Sequence, residues 1–152
     1  MTRTNRLGIP YVAIAEANTK MLNAPLRTVT EAYKLKELGN HKEALKLFVQ
    51  GLDSDFTVAT ASFELAQYYE GGHIVPQDFK LAFEYYLVAA ENNIAEAQLK
   101  VADWLATGKL GKPDLPAAQL WRMRASKQQE YDAKPIVSLA DSIRARVSDR
   151  PN

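Results

Sequence analysis

A repeat of 36 residues constrains this chain more than any other feature. Residues 59–94 and 95–130 align without a gap, and small, turn, capping and aromatic residues fall at matching positions. The matched pairs are Ala59 and Ala95, Ala61 and Ala97, Ala66 and Ala102, Gly72 and Gly108, Asp78 and Asp114, Ala82 and Ala118, Tyr85 and Trp121, and Ala89 and Ala125. A fixed period of this length is typical of stacked arrays, in which each unit buries its apolar face against its neighbours.

The matched residues predict a pair of helices in each copy. Alanine lets two helices cross closely, an aromatic side chain fills the groove between pairs, glycine lets the chain leave the first helix, and aspartate can cap the second. Apolar residues recur with helical rather than strand spacing along the chain, so we expect an all-α protein. The predicted helices cover 10–22, 27–38, 41–52, 57–70, 79–92, 95–107, 115–128 and 131–147, with one of the breaks at Pro25. The predicted core positions of the first helices are Ala61, Leu65, Tyr69, Ala97, Val101 and Leu105.

This layout resembles the Sel-1-like repeat, a relative of the tetratricopeptide repeat with a longer inner loop. The residues that carry the resemblance are Ala61, Leu65-Ala66, Tyr69, Gly72, Val75-Pro76-Gln77-Asp78, Lys80, Ala82, Tyr85 and Ala89-Ala90. The second copy departs from the pattern, with Lys112-Pro113 at the valine–proline step and Ser126 for the second terminal alanine. The resemblance implies a right-handed α/α solenoid of about three helix pairs with a C-terminal capping helix.

The remainder of the chain extends this array in both directions. We expect residues 1–26 to form an N-terminal segment with a short helix, and residues 27–152 to form one repeat domain. Within that domain, 27–56 resembles a tetratricopeptide pair, 59–94 and 95–130 are the Sel-1-like repeats, and 131–147 is the capping helix, since open solenoid ends need a polar outer face.

Residues that could support chemistry are few. The chain has no cysteine, and His41 and His73 are expected to be loop histidines rather than metal ligands. The acidic run 53–55 could hold a cation, but the preferred interpretation is a turn in which Asp55 caps the next helix. No nucleophile elbow or phosphate-binding loop is readable. We therefore predict no enzyme activity, no metal and no cofactor.

Aromatic and basic residues could in principle form a binding surface. Tyr69 and Tyr85 are assigned to the core, and about half of the neighbouring aromatic residues to the surface. Trp121 and the cations that follow it could suggest nucleic acid, but Trp121 matches a core position and a solvated helix face is preferred.

Charge is distributed unevenly along the chain. Residues 1–52 carry a net charge of +4, residues 53–108 of −7, and residues 109–152 of +4. An acidic middle disfavours nucleic acid, which would meet repulsion along its track. The same field can steer a partner of matching polarity or drive self-association of basic ends with an acidic middle, and it can equally be surface variation without a role.

The N-terminus bears on localisation. Arg3 and Arg6 precede an apolar stretch that faintly resembles a secretory signal, but Gly8 and Pro10 interrupt it. No apolar run reaches the roughly 18 residues that a membrane span needs. We expect a cytoplasmic, bacterial protein without a membrane partner, with the periplasm and secretion as open alternatives.

These observations together predict a protein–protein interaction module, an adaptor or scaffold that grips a partner segment on its concave face. Carrying over the tetratricopeptide contact positions implies a binding face made of Tyr33, Lys36, Phe63, Gln67, Glu70, Leu99, Asp103 and Ala106. Two alternatives stay open. The chain could be a structural subunit that uses its convex face and termini, or a helical-repeat nucleic-acid binder.

Overall fold

Six helices build the part of the chain that the computed structural model describes, residues 11–133, with side chains from Asn23 to Asp132. They are α1 (Tyr11–Glu37), α2 (His41–Gln50), α3 (Val58–Gly71), α4 (Phe79–Glu91), α5 (Ala95–Thr107) and α6 (Leu115–Ala133), and a single 3-10 turn at Gly51–Asp53 follows α2. Consecutive helices pack as the pairs α1–α2, α3–α4 and α5–α6, and α2–α3 and α4–α5 contacts join the pairs. The described residues contain no strand, and the predicted all-α solenoid is confirmed.

The repeat register predicted from sequence is confirmed in detail. Ala82 and Ala118 are fully buried at matching places on α4 and α6. Gly72 and Gly108 end α3 and α5 in the left-handed conformation, with φ of 70° and 68°. Asp78 caps α4 by accepting a hydrogen bond from the Leu81 amide at 2.9 Å, and Asp114 accepts one from Ala117 at 3.0 Å. Of the predicted core positions, Ala61, Leu65, Ala97 and Val101 are fully buried, and Tyr69 and Leu105 are half-buried against the core.

The prediction of two N-terminal helices separated at Pro25 is wrong. A single helix, α1, runs through that residue. Proline is compatible with helical φ and removes one hydrogen bond, at a cost of about 3 kcal/mol, so it need not end a helix whose other bonds are intact. The division of the chain at residue 26 into a terminal segment and a repeat domain stays a prediction.

The C-terminal helix α6 also continues past its predicted end. In the first repeat, α4 is followed by a turn in which Asn93 adopts a φ of 68°, a conformation that asparagine tolerates well. Gln129 stands at the equivalent position of the second repeat, and glutamine favours the helix. Residues 131–133 therefore continue α6, and the rest of the helix predicted over 131–147 lies outside the described residues.

The acidic run after α2 does not work as predicted. Asp55 caps no helix, because α3 begins at Val58 and Thr57 is its first flanking residue. The Thr57 hydroxyl is buried and donates to the Gly51 carbonyl at 2.7 Å, which ties the 3-10 turn to the start of α3. The turn is thus stabilised by a threonine rather than by an aspartate.

Two hydrophobic clusters form the core. The first lies between α1, α2 and α3, around Phe48, which is fully buried. The second spans the two 36-residue repeats, where Tyr86 is fully buried and meets Trp104 at 5.8 Å between ring centroids, edge to face. Phe79 and Phe83 also contact Trp104, at 5.8 and 5.9 Å, so aromatic side chains fill the junction between α4 and α5.

Gly72 and Gly39 provide a matched test of the inner loop. Both have a left-handed φ, of 70° and 80°, so alanine at either position meets the same backbone strain. A Cβ at Gly72 would lie 2.6 Å from the Gln77 Cβ and 3.1 Å from its Cα, whereas a Cβ at Gly39 would meet nothing within 4 Å. In urea denaturation we expect Gly72→Ala to lower the free energy of unfolding by about 1 kcal/mol or more beyond the loss in Gly39→Ala. Equal losses would contradict this packing of the loop.

Candidate partner-binding face

Two ion pairs place the first helices of the three pairs side by side. Lys36 of α1 pairs with Glu64 of α3, and Glu70, farther along α3, pairs with Lys100 of α5. Each pair joins residues that are distant in sequence but lie on neighbouring first helices. The helices α1, α3 and α5 therefore form one continuous face, on which all eight sequence-predicted site residues are placed.

Glu64 holds the junction between α1 and α3. The residue is only 5% exposed, and its Oε2 accepts from Lys36 Nζ at 2.5 Å. A buried carboxylate needs such partners to offset its lost hydration. Burial, together with the charge and hydrogen bond of Glu64, raises the pKa of Tyr33, whose ring packs edge-on to Phe48 at 5.3 Å. Two of the predicted site residues, Tyr33 and Lys36, thus have their polar atoms engaged within the chain.

Glu70 holds the junction between α3 and α5. Its Oε2 accepts from the Tyr86 hydroxyl at 2.6 Å, and Lys100 Nζ lies 3.2 Å from Oε1 and 3.3 Å from Oε2. Burial alone would raise the pKa of Glu70, but the hydrogen bonds from Tyr86 and Lys100 outweigh it and lower the pKa below its ordinary value. Glu70 is therefore a structural carboxylate, and its predicted contact with a partner would have to use the part of its side chain that these bonds leave free.

Lys109 completes the Glu70 network from the loop after α5. Its ammonium lies 3.7 Å from Glu70 Oε1. The same ammonium sits 3.9 Å from the ring centroid of Trp104 and 4.2 Å from that of Phe79, within cation–π range of both. The loop is thereby anchored to the aromatic junction between the repeats.

The other predicted site residues differ in their exposure. Leu99 is 42% exposed, and Asp103 is exposed one turn later on α5. Gln67 and Ala106 are half-buried. Phe63, predicted to be an exposed anchor, is half-buried and packs edge-on to Tyr86 at 5.8 Å, so it also supports the core. Whether any of these residues touches a partner stays a prediction.

Leu99 lies between two carboxylates on the surface of α5. Glu96 precedes it by three residues and Asp103 follows it by four, so all three share one side of the helix. Both acids are exposed, and neither carboxylate forms an ion pair or hydrogen bond with another described residue. The arrangement can bind an apolar side chain flanked by cations.

Sequence reasoning missed the residues that organise this face. Glu64, Tyr86 and Lys109 were not singled out, although Glu64 and Lys100 occupy equivalent positions in the two repeats and carry opposite charges. That inversion was the available signal for ion pairing between first helices. Tyr86 offered no such signal, because its equivalent is Arg122.

Other chemistry has little support in residues 11–133. No group of three histidine, cysteine or acidic residues that could hold a metal ion occurs among them. His41 is not a free loop histidine: its Nδ1 lies 3.0 Å from the Tyr68 hydroxyl. Within the same range, every helix is too short or too polar to cross a membrane.

Comparison with known proteins agrees with this arrangement. The model of the Sel1 repeat family matches residues 59–94 and 95–128. The chain contains two Sel1 repeats. The predicted resemblance to that family is confirmed, including the register of the first copy.

A solved Sel1 repeat protein has a similar structure. The crystal structure of a Sel1 repeat protein from Oxalobacter formigenes superposes with a TM-score of 0.61 at 28% sequence identity. The alignment covers 70% of this chain and 44% of that protein, so this chain spans less than half of its relative's length. No curated protein sequence matches the chain significantly. Sel1 repeats are generally protein-interaction modules, and the family is typically non-enzymatic.

The Glu70 network predicts a specific dependence of stability on pH. Because folding lowers the pKa of Glu70, this group stabilises the fold above its unfolded pKa, near 4.3 for an ordinary glutamate, and the contribution is lost as the pH falls through the folded value. We expect Glu70→Gln to lower the midpoint of urea unfolding at pH 7 and to flatten the decline below pH ~5.

Glu31→Gln is the matched control. Glu31 pairs with Lys34 at 3.5 Å on the exposed surface of α1, where such a pair contributes about 0–1 kcal/mol. Unfolding midpoints should be measured from pH 3 to pH 8 for both variants. Identical pH profiles for Glu70→Gln and the unmodified protein would contradict the role of Glu70.

Proposed function

We propose that this chain is a non-enzymatic adaptor or scaffold, which binds an extended or helical segment of a partner protein on a concave face formed by α1, α3 and α5. The observation that carries the proposal is the surface around Leu99. A side chain 42% exposed between two unpaired carboxylates, Glu96 and Asp103, suits a partner segment with an apolar anchor and basic flanks. Membership of the two repeats in a family of interaction modules supports the same class of function.

The eight residues of the proposed face divide between two roles. Leu99 provides the apolar contact, and Asp103 and Gln67 bind polar groups that set the register of the partner. Tyr33, Lys36 and Glu70 are engaged inside the chain, so they shape the floor of the groove and contribute chiefly through their exposed edges. Phe63 and Ala106 line the same floor without adding charge.

A structural role in a larger assembly is the second candidate. The observation that favours it is the row of exposed apolar side chains on α6, where Leu120 is 67% and Met123 50% exposed. Apolar side chains so exposed suit a permanent contact. Nucleic-acid binding has no comparable support, because the surface of the repeats around Leu99 is acidic. We place the chain in the cytoplasm, which cell fractionation of the native host would test.

A peptide selection tests the concave-face proposal and does not require the natural partner to be identified. Random peptides displayed on phage are selected on the immobilised full chain, and we expect enriched sequences with an apolar residue flanked by lysine or arginine. Affinities of the best peptide are then measured by calorimetry. Leu99→Ala and Asp103→Lys should each weaken binding by about 5-fold or more, since exposed anchors can contribute over about 1 kcal/mol.

Glu84→Lys is the control for Asp103→Lys. Glu84 is exposed on the second helix α4, and the substitution changes the net charge by the same amount. This variant should keep its affinity, and exchanging a basic residue of the peptide for glutamate should restore binding to Asp103→Lys. Retained affinity in both the Leu99 and Asp103 variants would refute the concave-face proposal.

A further inference from the structure

The outer end of the second repeat is not built like the junction between the repeats. On α4, the side that meets α5 carries Phe79, Phe83 and Tyr86, all in contact with Trp104. The equivalent positions on α6 are Leu115, Gln119 and Arg122, and all three side chains are exposed. A further first helix stacked there would bury an arginine and a glutamine where the first junction buries aromatic rings. Burying these groups without partners is unfavourable.

A different side of α6 is apolar and uncovered. Ala117, Leu120, Trp121 and Arg124 line a cavity of about 260 Å³. Tyr131, two turns beyond Arg124, lies on the same side of the helix and is 72% exposed, and Leu120 is 67% exposed. We call this row the α6 stripe.

Arg124 does not make the α6 stripe polar. Its guanidinium donates to the Glu91 carbonyl at 2.9 Å and lies 3.3 Å from Asn93 Oδ1. The same group sits 5.1 Å from the ring centroid of Trp121. With its donors directed to the end of α4, Arg124 presents a largely satisfied surface, on which an apolar side chain can pack.

The sequence that follows α6 matches the stripe in pattern and length. Lys134-Pro135 interrupts helical preference, because proline disfavours helical conformation in the residue before it. Apolar residues then recur with helical spacing at Ile136, Leu139, Ala140, Ile143 and Val147, with Arg144 and Arg146 at the margins. A helix over 136–147 would be about 18 Å long, and the stripe from Leu120 to Tyr131 spans about 16 Å.

We propose that residues 136–147 form an amphipathic helix that folds back antiparallel along the α6 stripe and covers its apolar side chains. The short link at Lys134-Pro135 requires the reversal of direction, since α6 runs to Ala133. The predicted capping helix is thereby given a definite place. It lies on the side of α6 that faces the end of α4, where Arg124 bonds, and not on the side that would carry a third repeat.

Disulfide formation tests this placement in the full chain. The protein has no cysteine, so introduced pairs report without background. Leu120→Cys with Val147→Cys places one thiol on the stripe, and Arg122→Cys with Val147→Cys places it on the opposite side of the helix. A tether alone gives both pairs a millimolar effective concentration, so the ratio of rates is the readout, and we expect the stripe pair to close about 10-fold faster or more.

The alternatives give different results in the same experiment. Faster closure of the Arg122 pair would overturn the proposal in favour of a third-repeat position, and equal rates would overturn it in favour of an undocked segment. Disulfide-linked dimers on a non-reducing gel would assign the stripe to a second copy of the chain. Each outcome is independent of partner binding on the first helices.

A second measurement does not depend on cysteine chemistry. Ile143→Asp places a charge on the apolar side of the predicted helix, whereas Ser142→Asp introduces the same residue one position away, off that side. We expect Ile143→Asp to lower the melting temperature of the full chain by several degrees and Ser142→Asp to leave it nearly unchanged. Equal effects of the two substitutions would contradict the docked helix.

Discussion

Close packing of helices through alanine is the constraint on which the rest of this structure depends. Eleven of the seventeen buried apolar residues are alanines, so the helix pairs meet through backbone and methyl groups rather than through long side chains. Alanine buries little area, and each contact therefore contributes a small share of the hydrophobic free energy. The array compensates where pairs meet, because Phe48, Tyr86 and Trp104 fill the spaces that the small residues leave.

What the sequence could reveal follows from this division of labour. Alanines, the turn glycine and the capping aspartate recur at the same positions because every pair has the same internal geometry, so the repeat register was predictable. The residues between pairs need not recur: Tyr86 faces another helix, whereas its equivalent, Arg122, faces outward. Pro25 and Asp55 were misread for a local reason, since a proline in a helix and an aspartate in a turn have meaning only with their surroundings.

The ion pairs change how the acidic middle of the chain should be understood. A net charge of −7 over residues 53–108 suggests a strong uniform field, but Glu64 and Glu70 are occupied by Lys36, Lys100 and Lys109, two of which lie outside that range. Two of the carboxylates thus serve the contacts between first helices. The charge that remains for recognition is local, and Glu96 and Asp103 concentrate it around Leu99.

The same comparison of repeats defines where the array changes character. Between α4 and α5, an asparagine turn and three aromatic rings allow the next pair to stack. After α6, Gln129 replaces the left-handed asparagine, and the equivalent outer side is polar. Both changes act in the same direction, because the first removes the turn that would start another pair and the second removes the surface that it would bury. The described first-helix face consequently consists of three helices, and a partner that binds there meets its only exposed leucine flanked by unpaired acids on the last of them, α5.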